Sequence, residues 1–328
     1  MTARHQEWGT GRDGDLAAWY RGFAHAAQEE GSGYAPIARA VAADDELLSR
    51  LASLPRRQRQ PNLVLAAVRH LGGPTDSPAT FRDWVLHNWE RLTEVTARRR
   101  TQTNEAARCA TLLPALASLP QPLALIEVGA AAGLCLYPDR LRYRYGDRPP
   151  IGPESPVTLR CAVTGPAPLP RQPPEVAWRA GIDLNPLDVT DPEDVDWLEC
   201  LIWPGPTHDP RRDRLRAMVD IARREPPRIV AGDMMSALPD LVREIPKGAT
   251  PVVFHSAVLA YLTPEERTEF RHLVHGLGVH WVCNEGPMVA SQFDWPVPTT
   301  SSADAFVLTL DEHPLARTGS HGQFVSWL

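Results

Sequence analysis

At 328 residues, with 43% hydrophobic and 23% charged residues, the chain has the balance of a globular protein of one large domain or two small ones. A net charge of −6 argues against broad electrostatic attraction to nucleic acid or membrane surfaces. Proline is in excess at 33 residues, which points to long, stiff loops.

The opening stretch, MTARHQEWGTGRDGD, has neither an apolar signal core nor an amphipathic transit pattern, and no run approaches the roughly 18 apolar residues of a membrane helix. A cytoplasmic location is expected. Weak helical patterns cover 16–28 and 37–54. A stronger one, Phe81, Trp84, Val85, Trp89, Leu92 and Val95, recurs at steps of mostly three and four and predicts one helix over 81–95. Ala107, Ala110, Leu113 and Leu116 predict another over 104–116, with Pro114 disturbing its last turn. Residues 1–120 are therefore read as a helical region.

From Leu123 the texture changes to short apolar runs separated by turns and helices. Strands are predicted over 123–128, 178–184, 228–231, 252–255, 281–284, 306–310 and 323–327. After the fourth of these, Thr263, Pro264 and Glu266 spell a capping box with proline in the first turn. Strands alternating with helices argue for a mainly parallel sheet covered on both faces, an α/β domain over 121–328. The last two strands have no helix between them and are expected to form an antiparallel edge. Between 137 and 177 the alternation in LRYRYGD and VTLRCAV suggests a β-hairpin or flap, and GPAPLPRQPPE a stiff connector.

In an open α/β sheet, ligands bind outside the carboxyl ends of the strands, where the strand order reverses. The stretch LIEVGAAAGLC places Glu127, Gly129, Ala131 and Gly133 at the turn after the first predicted strand. Glycines there let the backbone approach a ligand, and an acid there can order the loop. Ala131 is a mild loss at negative φ; at positive φ it costs about 1 kcal/mol. Pro138 follows Gly133 within about a turn and a half, so the expected helix must be short or reorganised. Asp183 ends the next strand, where a carboxylate suits ribose hydroxyls, although it comes about fifty positions on rather than roughly twenty. Asp233 can accept from an adenine amino group or cap the helix over 237–242. These residues make S-adenosylmethionine the cofactor to test.

The segments TQTNEAARCATLLPAL, IEVGAAAGLCLYPDRLRYRYGD, GIDLNPLDVTDP, VVFHSAVLAYL and HGQFVSWL, in this order across nearly the whole chain, resemble an actinobacterial family known as domain of unknown function 2332. The resemblance implies a Rossmann-like, class I methyltransferase-type fold preceded by a helical region, and implies no established reaction. Gln102, Asn104, Glu105 and Arg108 match its QTNExxR element. Asp183, Asn185 and Asp188 match DLNPLD, and His321 and Gly322 match its terminal HG. Cys135 stands where the family usually has asparagine, and the segment around 71–77 is shorter.

Several of these residues are candidates for chemistry. His255 ends the fourth strand and can take a proton from an attacking atom, or can be a hydrogen-bonded strand end. Glu285 stands on the same rim and suits an amine. Glu105 and Arg108 lie one helical turn apart and can pair on the surface; alternatively, Gln102, Asn104 and Glu105 line the cleft. Asn185, Asp188 and His321 complete the substrate-binding candidates. Cys135 is either a reactive thiol or a small buried hydrophobe. The five cysteines are scattered with no CxxC spacing, so neither a disulfide frame nor a metal is expected.

Three functions follow in order. The first is a methyltransferase-like enzyme acting on a small molecule, which needs a positioned sulfonium and an aligned nucleophile more than acid–base help. The second keeps the fold without the cofactor and catalyses elimination, cyclisation or another displacement in specialised metabolism. The third is a non-catalytic partner subunit of a heteromeric enzyme, its helical region docking another protein; whether the chain forms a homo- or hetero-oligomer is left open.

Overall fold

The computed structural model describes residues 15–296 and 305–328. The chain divides into two compact units. One comprises Asn104–Thr190 and Arg216–Leu328; the described part of the other comprises residues 15–103 and Asp191–Leu215. The division thus falls at residue 103 rather than near 120, and a later segment returns to the helical unit.

The helical unit opens with α1 (Leu16–Glu29), α2 (Tyr34–Val41), α3 (Asp45–Ala52), α4 (Pro61–His70), α5 (Pro78–His87) and α6 (Trp89–Arg98). The pattern over 37–54 is split because the Asp44 carboxylate accepts from the amides of Glu46 and Leu47 and starts α3. The single helix expected over 81–95 is two. Asn88 separates α5 from α6, its side-chain amide donating to the Trp84 carbonyl at 2.9 Å. The apolar spacing runs through this break because Phe81 and Val85 on α5 and Leu92 and Val95 on α6 are all buried.

The sheet unit begins with α7 (Arg108–Ala117), which starts at Arg108 rather than Asn104. Pro114 sits inside it. A proline donates no hydrogen bond to the carbonyl four residues back; here that Ala110 oxygen accepts from the Tyr145 hydroxyl at 2.6 Å instead. β1 (Leu123–Val128) follows, all six residues buried, as a central parallel strand should be. Its helix is replaced by 3-10 turns at Leu134–Leu136 and Pro138–Arg140, the reorganisation that Pro138 implies. The chain continues through β2 (Arg142–Tyr145), β3 (Thr158–Thr164) and β4 (Val176–Asp183). It then passes into α8 (Pro192–Leu201) of the helical unit and returns along α9 (Asp209–Arg224). There follow β5 (Arg228–Ala231), α10 (Met234–Arg243), β6 (Thr250–Ser256), α11 (Pro264–Gly276), β7 (His280–Glu285), α12 (Pro287–Gln292), β8 (Ala305–Leu310), β9 (His313–Gly319) and β10 (Phe324–Trp327). The capping box of α11 forms as predicted, with Thr263 and Glu266 exchanging hydrogen bonds at 2.7 and 3.2 Å.

The ten strands among the described residues form one mixed, mostly parallel sheet in the order β2-β3-β10-β9-β8-β7-β6-β1-β4-β5. The stretch β5-β4-β1-β6-β7 is parallel throughout, and β8, β9 and β10 supply the antiparallel C-terminal strands. β8 and β9 join through Asp311 and Glu312, both at positive φ, the twist that a two-residue hairpin turn requires. The segment read as a hairpin or flap is neither. β2 and β3 run parallel, and β3 pairs with β10, so the sheet continues past the antiparallel strands. The core between sheet and helices gathers Ile126, Val253, Leu238, Phe270 and Trp281. Among the described residues no helix is long and apolar enough to cross a membrane.

Candidate functional site at the carboxyl ends of β1, β4 and β6

The strand order reverses at β1: the chain steps outward through β4 and β5 on one side, then through β6 and β7 on the other. The carboxyl ends around that point carry most of the candidate residues. The loop after β1 turns sharply, with Gly129 at φ 70°, Ala131 at φ 51° and Gly133 at φ 70°. Ala131 therefore bears the left-handed cost anticipated for it. Ala257, directly after β6, is also left-handed at φ 61°. Two strained alanines thus flank the reversal, and strain of this kind gathers where geometry serves function. A Cβ on Gly129 would lie 2.5 Å from Val258 Cγ2, so this glycine is required by space as well as by φ.

The loop's amides are all engaged. Gly129 and Ala130 donate to the Ile182 carbonyl, and Gly133 to that of Ala130. Ala131 donates to Asp183 Oδ2 at 2.8 Å, while Ala132 and Leu134 donate to Asn104 Oδ1 at 3.2 and 3.1 Å. Asp183 and Asn104 therefore hold the turn in the way a bound anion would.

Beneath the loop lies a buried polar group. Glu127 at the end of β1 is 7% exposed, and its Oε2 has no hydrogen-bond partner among the described residues. Burial, and after it the neighbouring Cys135, raise its carboxyl well above the usual carboxylate range. Glu105 and Arg108 are buried rather than paired on a solvated face. Arg108 donates to the carbonyls of Ser256 (3.0 Å) and Ser320 (2.9 Å), tying the start of α7 to the ends of β6 and β9. Cys135 is buried too, its thiol held well above the usual range by a hydrogen bond with Cys109 and by burial. It matches a small buried hydrophobe rather than a reactive thiol.

The sign for Glu127 follows from its raised folded value. The neutral form is favoured in the folded protein, so stability is highest below the ordinary carboxylate range and falls as pH rises towards the folded value. Glu127→Gln should therefore stabilise the protein at neutral pH and flatten that fall, read from urea midpoints across pH. A variant that is less stable at pH 7 and keeps the wild-type slope would show that the acid is ionised and satisfied.

His255 and Glu285 form a closed network. Trp281 Nε1, which can only donate, reaches His255 Nε2 at 2.9 Å, so the ring proton sits on Nδ1 and points to Glu285 Oε1 at 2.8 Å. The same oxygen accepts from the amides of Val258 and Leu259. Both side chains are fully buried, with Phe270 edge-on to the imidazole. Both histidine nitrogens are thus engaged by the protein. The arrangement holds the loop after β6 in place and does not present a base to the rim.

The chain matches the family model described as "Uncharacterized protein conserved in bacteria (DUF2332)" over residues 17–327. It belongs to the DUF2332 family. No curated protein and no solved structure matches it. Within this DUF2332 chain, Asn104, Glu105, Arg108, Asp183 and Gly322 all belong to the sheet unit, whereas Gln102 belongs to the helical unit. Glu105 Oε1 accepts from the Ala107 amide at the start of α7. Gly322 lies against the same turn: a Cβ there would be 2.1 Å from the Ala107 carbonyl oxygen. His321, half-buried beside it, donates its amide to Gln323 Oε1. Asn185 donates its amide to Asp183 Oδ1, and Asp188 accepts from the Thr190 amide and hydroxyl, which hold its carboxyl below the usual range. Asp233 is the N-cap of α10, accepting from the Met235 amide at 2.8 Å.

Two contributors escaped sequence reasoning. Gly181 in β4 gives room for the loop, since a Cβ there would meet Ala130 Cβ at 2.5 Å; the signal was a glycine inside a predicted strand. Ala257 carries no mark in the sequence that sets it apart from its neighbours.

Proposed function

We propose that this protein is a small-molecule enzyme of methyltransferase-like architecture, with S-adenosylmethionine bound outside the carboxyl ends of β1, β4 and β6. The reading rests on the parallel order β5-β4-β1-β6-β7, with Glu127, Asp183 and Asp233 at the carboxyl ends of three neighbouring strands. Leu184 (73% exposed) and Tyr261 (67% exposed) follow β4 and β6 on either side of β1, an apolar rim suited to a ring system. The sequestered His255 agrees with a displacement that depends on alignment rather than proton transfer.

A second reading, the same fold without the cofactor, is favoured by the loop. All of its amides from Gly129 to Leu134 already have acceptors in the chain, so an anionic ligand must displace Asp183 or Asn104 to reach them. Calorimetry with S-adenosylmethionine and its demethylated product separates the two readings. Binding of the product, weakened about tenfold (about 1.4 kcal/mol) by Asp233→Asn, is expected. Asparagine keeps the α10 cap while removing one acceptor for an amino group, so unchanged affinity would reduce Asp233 to a cap alone. No heat at millimolar ligand removes the cofactor and leaves the second reading.

A further inference from the structure

The helical unit carries a donor cluster that no sequence spacing announces. α4 ends on His70, and α8 carries Asp196 and Cys200 one turn apart. His70 Nδ1 lies 2.5 Å from Asp196 Oδ2, and Cys200 Sγ lies 3.8 Å from the same oxygen. One ligand atom from each of the three lies within 4.8 Å of the others. Trp197 meets the His70 ring edge-on at 5.5 Å, and Arg69 donates to the carbonyls of Cys200 and Ile202, which fixes the end of α8 beside α4.

We propose that His70, Asp196 and Cys200 bind a divalent, thiophilic cation of the zinc class, a site separate from the crevice at β1. Three observations carry this. The donor set is imidazole, carboxylate and thiol, a combination that suits zinc and its neighbours and not magnesium or calcium. Its dimensions are close to a site: metal–ligand bonds of about 2.0–2.3 Å in a tetrahedron set ligand atoms roughly 3.3–3.8 Å apart, and the three here lie within 4.8 Å of one another. The sulfur–carboxylate pair is already there, and the His70–Asp196 pair must open by about 1 Å, within reach of a rotamer change in an Asp196 side chain that is 56% exposed. The charges also balance, since one carboxylate and one thiolate neutralise a dication. As the metal–sulfur bond forms, the Cys200 proton passes to solvent, and the histidine binds as the neutral imidazole. Because the Asp196 side chain is exposed, water would supply the fourth ligand. The bound ion would clip α8 onto α4 across 126 positions of sequence.

The test is a titration of the full chain, stripped with a chelator, first with Zn2+ against a chromophoric competitor and then with Co2+. One tightly bound ion per chain is expected, with a thiolate-to-cobalt charge-transfer band in the near ultraviolet and a melting temperature that rises with added zinc. Cys200→Ser should abolish the band, and Cys200→Ser and His70→Gln should each weaken zinc binding at least tenfold. The circular dichroism of both metal-free variants should match wild type, which separates lost ligands from lost fold. Wild-type affinity in Cys200→Ser, or cobalt bound without the sulfur band, overturns the proposal.

Discussion

Gly322→Ala is expected to destabilise the protein by about 3–5 kcal/mol, the sum of a left-handed penalty and overpacking against backbone. The residue sits at φ 81°, and its new methyl would lie 2.1 Å from the Ala107 oxygen and 2.4 Å from the Ala107 carbonyl carbon. Neither can yield as a flexible side chain would. The strain falls on the turn that starts α7, where Arg108 joins Ser256 to Ser320. Gly278→Ala is the matched control. It has φ 65° and nothing within 4 Å of a Cβ, so it should cost only about 1–2 kcal/mol. Denaturant midpoints for the two variants isolate the contact from the conformational term. Equal losses would show that the HG element is conformational only.

The second large effect is expected at Glu285. Replacing it with alanine leaves the Val258 and Leu259 amides and His255 Nδ1 without their acceptor. Each buried orphan costs about 1–3 kcal/mol, so a loss on the order of 3–5 kcal/mol is expected. Glu285→Gln keeps an acceptor oxygen in the same place and should lose about 1.5 kcal/mol or less. A positioning network predicts this order, whereas a carboxylate whose role is catalytic predicts two stable variants that differ in turnover. Urea unfolding of both decides it, and an alanine variant within about 1 kcal/mol of wild type would refute the network.

The parallel strands were legible because burial on both faces leaves a continuous apolar run; β1 and β5 have their predicted limits. β9 was not, since HPLARTG carries little apolar signal, and its place is set by pairing with β8 and β10. The same limit applies to β2 and β3. Alternation marked them as strands, but a parallel partner distant in sequence leaves no local trace. At the site, Gly129, Gly133 and Asp183 were visible as a pattern. What Asp183 and Asn104 do to the loop was not, because one carboxylate pattern serves a ribose or a backbone amide equally well. His255 illustrates the same point: a strand-end histidine was readable, while the Trp281 and Glu285 partners that occupy both its nitrogens come from the neighbouring strand.

The place of β3 in the sheet has a consequence for synthesis. Among the described strands, β3 joins the main sheet only through β10, residues Phe324–Trp327, which leave the ribosome nearly half the chain later. Until then β2 and β3 can form at most a two-stranded parallel ribbon with an open edge, too small to be stable alone. The centre of the sheet can assemble as its strands emerge, but its far side waits for β10, whose first residue, Phe324, comes long after the last of β3, Thr164. Until β10 arrives, the β3 edge keeps its backbone donors and acceptors open to wrong pairing.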